Sequence, residues 1–117
     1  MDVNEAINAL SALAQEHRLA IFRLLVKAGP DGLPAGEIGG RIGIGPTSAS
    51  FHLKELDRAG LIDARREGRF IRYAFNAGAM RRLLTFLTED CCQGRPELCG
   101  DLFSVNRCAP REELADE

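Results

Sequence analysis

The stretch PTSASFHLKELDRAGLIDARREGRFIRYAF, Pro46 to Phe75, carries two different hydrophobic periods on either side of one glycine. Up to Ala59 the period is helical. At about 100° per residue, Ala49, Leu53, Leu56 and Gly60 fall on one side, and Thr47, Phe51, Lys54 and Arg58 on the other. Pro46 pre-sets the first turn of this helix and Gly60 is its stop. Beyond Gly60 the period drops to two, which predicts short strands over Leu61 to Arg66 and Arg69 to Phe75. They are joined at Glu67-Gly68, where glycine supplies the positive φ that a tight hairpin turn requires.

Working outward, Gly43 to Gly45 breaks the chain before this helix, and Pro34 suits the start of a short third helix ending at Ile42. Asp31 to Pro34 reads as a turn. Gln15 to Ala28 is a second helix, apolar at Ile21, Phe22, Leu24 and Leu25 and stopped by Gly29-Pro30. Residues 2 to 14 form a first, with Val3, Ile7, Leu10 and Ala14 as its apolar stripe. On the other side, Asn76 can cap a last helix whose stripe is Met80, Leu83, Leu84 and Leu87, extended one turn by Cys91 and ended by Gly94 and Pro96. A short helix, a tight break, a second helix and a hairpin are the parts of a winged helix-turn-helix. The expected fold is therefore mainly α (α+β), about five helices with a β-hairpin wing. The expected division is residues 1–92 as a DNA-binding and dimerisation domain and 93–117 as a cysteine-containing loop and acidic tail.

The 117-residue chain is 45% hydrophobic, which suits one packed core. No run approaches ~18 apolar residues, and the start MDVNEAINAL is acidic and amphipathic instead of signal-like, so a cytoplasmic location is expected. The net charge of −2 conceals an uneven distribution: −2 over residues 1–40, +5 over 41–88 and −5 over 89–117. A basic middle can present one nucleic-acid-binding face within an acidic protein.

If Ala49, Leu53 and Leu56 pack inward, then Thr47, Ser48, Ser50, Phe51 and Lys54 remain free on the half of the fourth helix that enters the major groove. Hydroxyls can bond base edges or phosphates, or cap the helix in the case of Thr47 and Ser48, and Phe51 can touch a thymine methyl. His52 lies at the margin, open to either packing or DNA contact. Arg65, Arg66, Arg69 and Arg72 cluster about the hairpin, where they can reach phosphates and fix the protein on the duplex without reading much sequence.

All four cysteines, Cys91, Cys92, Cys99 and Cys108, fall within one C-terminal stretch. Soft thiolates this close select thiophilic ions; the plainer alternative is four small buried hydrophobes.

The run Pro46 to Phe75 resembles the recognition helix and wing of the ArsR/SmtB family of metalloregulatory repressors. The likeness is carried by Ser50-x-His52-Leu53-x-x-Leu56, Ala59-Gly60-Leu61 and Arg66-Glu67-Gly68-Arg69, and it extends through His17-Arg18-Leu19 to cover roughly residues 5 to 90. The resemblance implies a homodimer, built from the first and last helices, that binds operator DNA and releases it on capturing an inducer. The family's CxC arsenic site would fall near Leu33 to Gly40, where no cysteine stands. Its zinc site on the last helix needs histidines, and the only two are His17 and His52. Cys91, Cys92 and Cys99 look like the site of arsenite-responsive members. Trivalent arsenic takes three thiolates in a pyramid, so a vicinal pair plus one cysteine across a loop holding Gly94, Pro96 and Gly100 is a sufficient donor set. Antimonite has the same preferences. Arsenite, or antimonite, is thus the expected inducer, and no catalytic cofactor is expected.

Other readings stay open on the sequence. Cys108 could complete a tetrahedral zinc or cadmium site. Two of the thiols could form a disulfide in a redox- or persulfide-sensing repressor. A winged-helix module that binds only protein is a third reading, disfavoured by the arginines. An enzyme is disfavoured because no histidine accompanies the cysteines as a base. The apolar stripes of the first and last helices exceed what one small core needs, and a dimer would read an inverted repeat with half-site centres about one helical turn, 10 to 10.5 bp, or a multiple apart.

Overall fold

The computed structural model describes residues 1–89. Cys91, Cys92, Cys99 and Cys108, and with them the expected boundary at residue 92, lie outside the described residues. The elements are α1 (Val3–Leu13), α2 (Glu16–Ala28), β1 (Leu33–Pro34), α3 (Ala35–Ile42), α4 (Pro46–Arg58), β2 (Ile62–Glu67), β3 (Phe70–Phe75) and α5 (Ala77–Thr88). This is the expected winged helix-turn-helix. Local chemistry sets its boundaries. A capping box opens α1, in which the Asp2 carboxylate accepts from the Glu5 N–H at 2.8 Å and Glu5 accepts from the Asp2 N–H at 2.9 Å. The Gln15 side chain caps α2, and Asn76 caps α5 by accepting from the Ala79 N–H at 2.8 Å.

The core gathers around Ile21, Leu25, Ile38, Leu53, Leu56, Leu61 and Ile62, all fully buried. Ala49 on α4 faces Gly39 on α3, two small residues that let the helix-turn-helix pair close tightly. Ala49, Leu53 and Leu56 are buried on α4 as their spacing predicts.

Four particulars differ from the sequence reading. First, the wing is a three-stranded antiparallel sheet in the order β1-β3-β2, because Leu33 and Pro34 pair with Tyr73 and Arg72 instead of forming a turn and the start of a helix. Pro34 has extended backbone (φ −69°, ψ 151°), and a residue without an N–H is tolerated on an edge strand. Second, Glu67 pairs with Phe70, so the hairpin turn is Gly68-Arg69, one residue later than read; Gly68 takes φ +60° at its first central position. Third, α1 packs through Ala6, Ala9 and Ala12, while Val3, Ile7 and Leu10 stay 59%, 53% and 43% exposed, about a third of a turn away. Fourth, α5 stops at Thr88, with Glu89 in extended backbone, so the described helix ends before Cys91.

Candidate nucleic-acid interface

α4 begins with Gly45 as its N-cap, and no side chain caps it. The hydroxyls of Thr47 and Ser48 are thus not used for capping, and the first-turn N–H groups keep the unsatisfied donors of a helix start. No acidic residue sits in that first turn. Thr47, Ser48, Ser50 and Lys54 are exposed around it, and Phe51 is 56% exposed. A helix end that pairs free backbone donors with exposed hydroxyls and a lysine is suited to anionic backbone on one side and base edges on the other.

His52 lies on the packed side of this helix, 8% exposed, with its ring 5.6 Å from that of His17 on α2 and 5.4 Å, edge-on, from that of Phe51. Burial, and then the charges of Arg18 and His17, hold its pKa below the ordinary imidazole value, with Glu55 opposing. At 8% exposure the imidazole presents little surface to a phosphate. The geometry makes it a packing residue that seats Phe51 and joins α4 to α2.

The wing arginines divide by strand alternation. Arg65, Glu67 and Arg72 share one face, and Arg66 stands on the other. Arg72 donates to Glu67 at 2.9 Å and, at 3.3 and 3.2 Å, to the backbone carbonyls of Asp31 and Gly32. It therefore latches the wing to the turn before β1. Its hydrogen bond, with a further contribution from Arg65, holds the Glu67 carboxyl below its ordinary pKa. Arg65 also pairs with Glu67, at 3.3 Å. Arg66 and Arg69 are exposed and take part in no ion pair among the described residues. The structure thus brings Thr47, Ser48, Ser50, Phe51 and Lys54 together on one helix end. It leaves Arg66 and Arg69 at the wing and sets Arg72 and His52 aside for structural work. No group of three or more His, Cys, Asp or Glu among the described residues could hold a metal ion, and no described helix is long and apolar enough to cross a membrane.

The sequence reading missed Phe70, which lies 68% exposed beside the hairpin turn. Alternation from the buried Tyr73 would have placed it on the outer face.

A helix-turn-helix domain family matches residues 13–65. YgaV, an HTH-type transcriptional regulator of Escherichia coli K12, is 30% identical over 88 residues, which cover 75% of this chain and 87% of YgaV. An uncharacterised HTH-type regulator of Bacillus subtilis, YceK, is 45% identical over 58 residues, half of this chain and 57% of YceK. Among solved structures, HlyU from Vibrio cholerae is similar at TM-score 0.59 and 33% identity, over 74% of this chain and 97% of HlyU. The homodimeric winged helix-turn-helix DNA-binding domain Mb0332 from Mycobacterium bovis, a possible ArsR-family transcriptional regulator, is similar at TM-score 0.61 and 26% identity, over 78% and 84% of the two chains.

Proposed function

The chain belongs to the ArsR family of helix-turn-helix transcriptional regulators, and from that premise we propose that it is a homodimeric repressor that releases its operator when Cys91, Cys92 and Cys99 capture trivalent arsenic. The observation that carries the DNA-binding half is the uncapped, hydroxyl-rich start of α4 with Lys54 beside it and Arg66 and Arg69 on the adjacent wing. Thr47, Ser48, Ser50 and Phe51 would read base edges; Lys54, Arg66 and Arg69 would hold phosphates. The test is binding of the full chain to a duplex that it selects from a random pool, at several salt concentrations. Arg69→Ala should weaken specific and nonspecific binding alike and reduce the salt slope by about one unit per protomer, whereas Ser50→Ala should mainly erode discrimination between sites. Operator binding untouched by both changes would refute the assignment.

Dimerisation is supported by the outward stripe of Val3, Ile7 and Leu10 on α1, together with Leu87, 49% exposed, on α5, which packs against α1. The homodimeric state of the Mycobacterium bovis domain points the same way. An Ile side chain buried in a two-fold interface contributes about 1.5 to 3 kcal/mol, twice over by symmetry. Ile7→Asp should therefore give a folded monomer by sedimentation velocity and weaken binding to an inverted repeat, since the residue is 53% exposed and lies outside the buried core of its own chain. A monomeric wild type at micromolar concentration, bound one per operator, would contradict the dimer.

Arsenic is favoured as inducer by donor chemistry. Three thiolates satisfy trivalent arsenic, whose lone pair occupies the fourth direction, whereas zinc prefers four ligands. When bound, the ion would supply only coordination. What the described chain contributes is position: α5 ends at Thr88, three residues before Cys91, and packs on α1. A switch of this kind needs a difference in affinity between the two DNA-binding states of about 1 to 3 kcal/mol. DNA release titrated separately with arsenite, antimonite, zinc and cadmium separates the inducers, and mass measurement after oxidation identifies a disulfide-based sensor instead.

A further inference from the structure

Phe70 is 68% exposed, more than any other large hydrophobic side chain among the described residues. A single exposed apolar residue is ordinary on a protein surface, so exposure alone decides nothing. Its setting does. Phe70 is the first residue of β3, paired with Glu67 and adjoining the Gly68-Arg69 turn, so it stands at the tip of the wing. Five residue steps separate it from the strand base, where Ile62 pairs with Phe75, which carries the tip about 17 Å out. Arg65 and Arg72 share its face and pair with the single carboxylate of Glu67, while Arg69 in the turn and Arg66 on the opposite face take part in no ion pair among the described residues. The tip is thus net cationic, which suits a polyanion and opposes docking of a purely apolar protein surface. The base of the wing is anchored: β1 pairs with β3 at Arg72 and Tyr73, and Arg72 donates to the Asp31 and Gly32 carbonyls, while Phe70 has Glu67 as its one strand partner. The ring is thus carried on a two-stranded tip that rises from a fixed base.

Resting on the DNA-binding reading above, we infer that Phe70 is a minor-groove wedge: when α4 lies in the major groove, the wing tip enters the neighbouring minor groove and the ring partly unstacks a base step. Apolar wedges flanked by cations kink duplexes in this way, most easily at flexible pyrimidine–purine steps. Arg69 and Arg66 hold the phosphates on either side. The operator should accordingly be bent in the complex and favour a TA or CA/TG step at the wing position.

The experiment uses the full chain and the duplex that the wild type selects from a random pool, end-labelled for bending by energy transfer. Phe70→Ala should weaken binding by about tenfold, in the range of one base–aromatic stack, and reduce the bend, while its salt slope stays that of the wild type because no charge is lost. Phe70→Trp should keep both affinity and bend. Circular dichroism of the variant should match the wild type, since the side chain is exposed. Wild-type affinity and bend in Phe70→Ala, or an unbent wild-type complex, would overturn the wedge. If Arg69→Ala loses affinity while Phe70→Ala does not, the DNA-binding reading survives and the wedge alone falls. A wild type that selects no duplex removes both.

Discussion

Serine at Cys91, Cys92 or Cys99 is expected to abolish arsenite-induced release of the operator while leaving binding of the ligand-free protein nearly unchanged. None of the three belongs to the residues proposed to read DNA at the start of α4 or on the wing, so a loss confined to induction is the signature of a ligand residue. Serine at Cys108 should do neither, since a pyramidal three-thiolate ion has no use for a fourth donor. The wild-type response should fall within typical allosteric coupling, about 5- to 150-fold in operator affinity, and the three serine variants should lose it together. X-ray absorption of the arsenite-loaded protein checks the donor set directly. A three-sulfur shell that persists in Cys99→Ser and collapses in Cys108→Ser would refute the assignment. A four-sulfur tetrahedral zinc site in the protein as purified would favour a zinc- or cadmium-responsive repressor.

The second large effect is on stability. Gly32 is buried at φ +67°, and a Cβ placed there would press into the backbone carbonyl of Tyr73 on β3. Its own carbonyl accepts from Arg72 at 3.2 Å, and the next residue, Leu33, pairs with Tyr73, so the segment has no room to retreat. Gly32→Ala therefore combines a left-handed backbone with a collision against main chain. It should cost about 3 kcal/mol or more, read as a lowered urea midpoint. Gly40→Ala supplies the opposite sign. That glycine sits in α3 with open space around its Cβ position and should gain about 0.5 to 1 kcal/mol in helix propensity. Equal effects at the two positions would show that the close approach of Gly32 to β3 is not what the native sheet depends on.

Much of the fold was legible because its punctuation is chemically strong. Pro46, Gly60 and Asn76 mark boundaries by mechanisms that act within a residue or two, and the buried face of α4 followed from spacing alone. What escaped depends on distant partners. Leu33-Pro34 carries no strand signal of its own and becomes β1 only because β3 offers an edge. Arg72 looked like the other wing arginines; its role comes from two carbonyls some forty residues away in sequence. His52 stood at a margin that periodicity cannot divide, and its 8% exposure depends on packing beyond its own helix, where the His17 ring of α2 lies 5.6 Å away. The exposed face of α4 was legible because exposure there follows the helical period. On the wing the exposure of Phe70 depends on which strand face turns outward, and that is set by the pairing of β3 with β2.

The division of labour on α1 has a consequence for how such proteins coexist. Ala6, Ala9 and Ala12 are buried against the chain's own core, whereas Val3, Ile7 and Leu10 leave about half of their surface open. Substitutions on the outer stripe should therefore cost folding less than substitutions among the alanines, and with the stripe as the proposed dimer seam their larger effect falls on the choice of companion. Paralogous chains within one cell could then keep their pairs insulated from each other by exchanging those few side chains, at little cost to the fold. Pairing identity and foldability can then drift independently along a single eleven-residue helix.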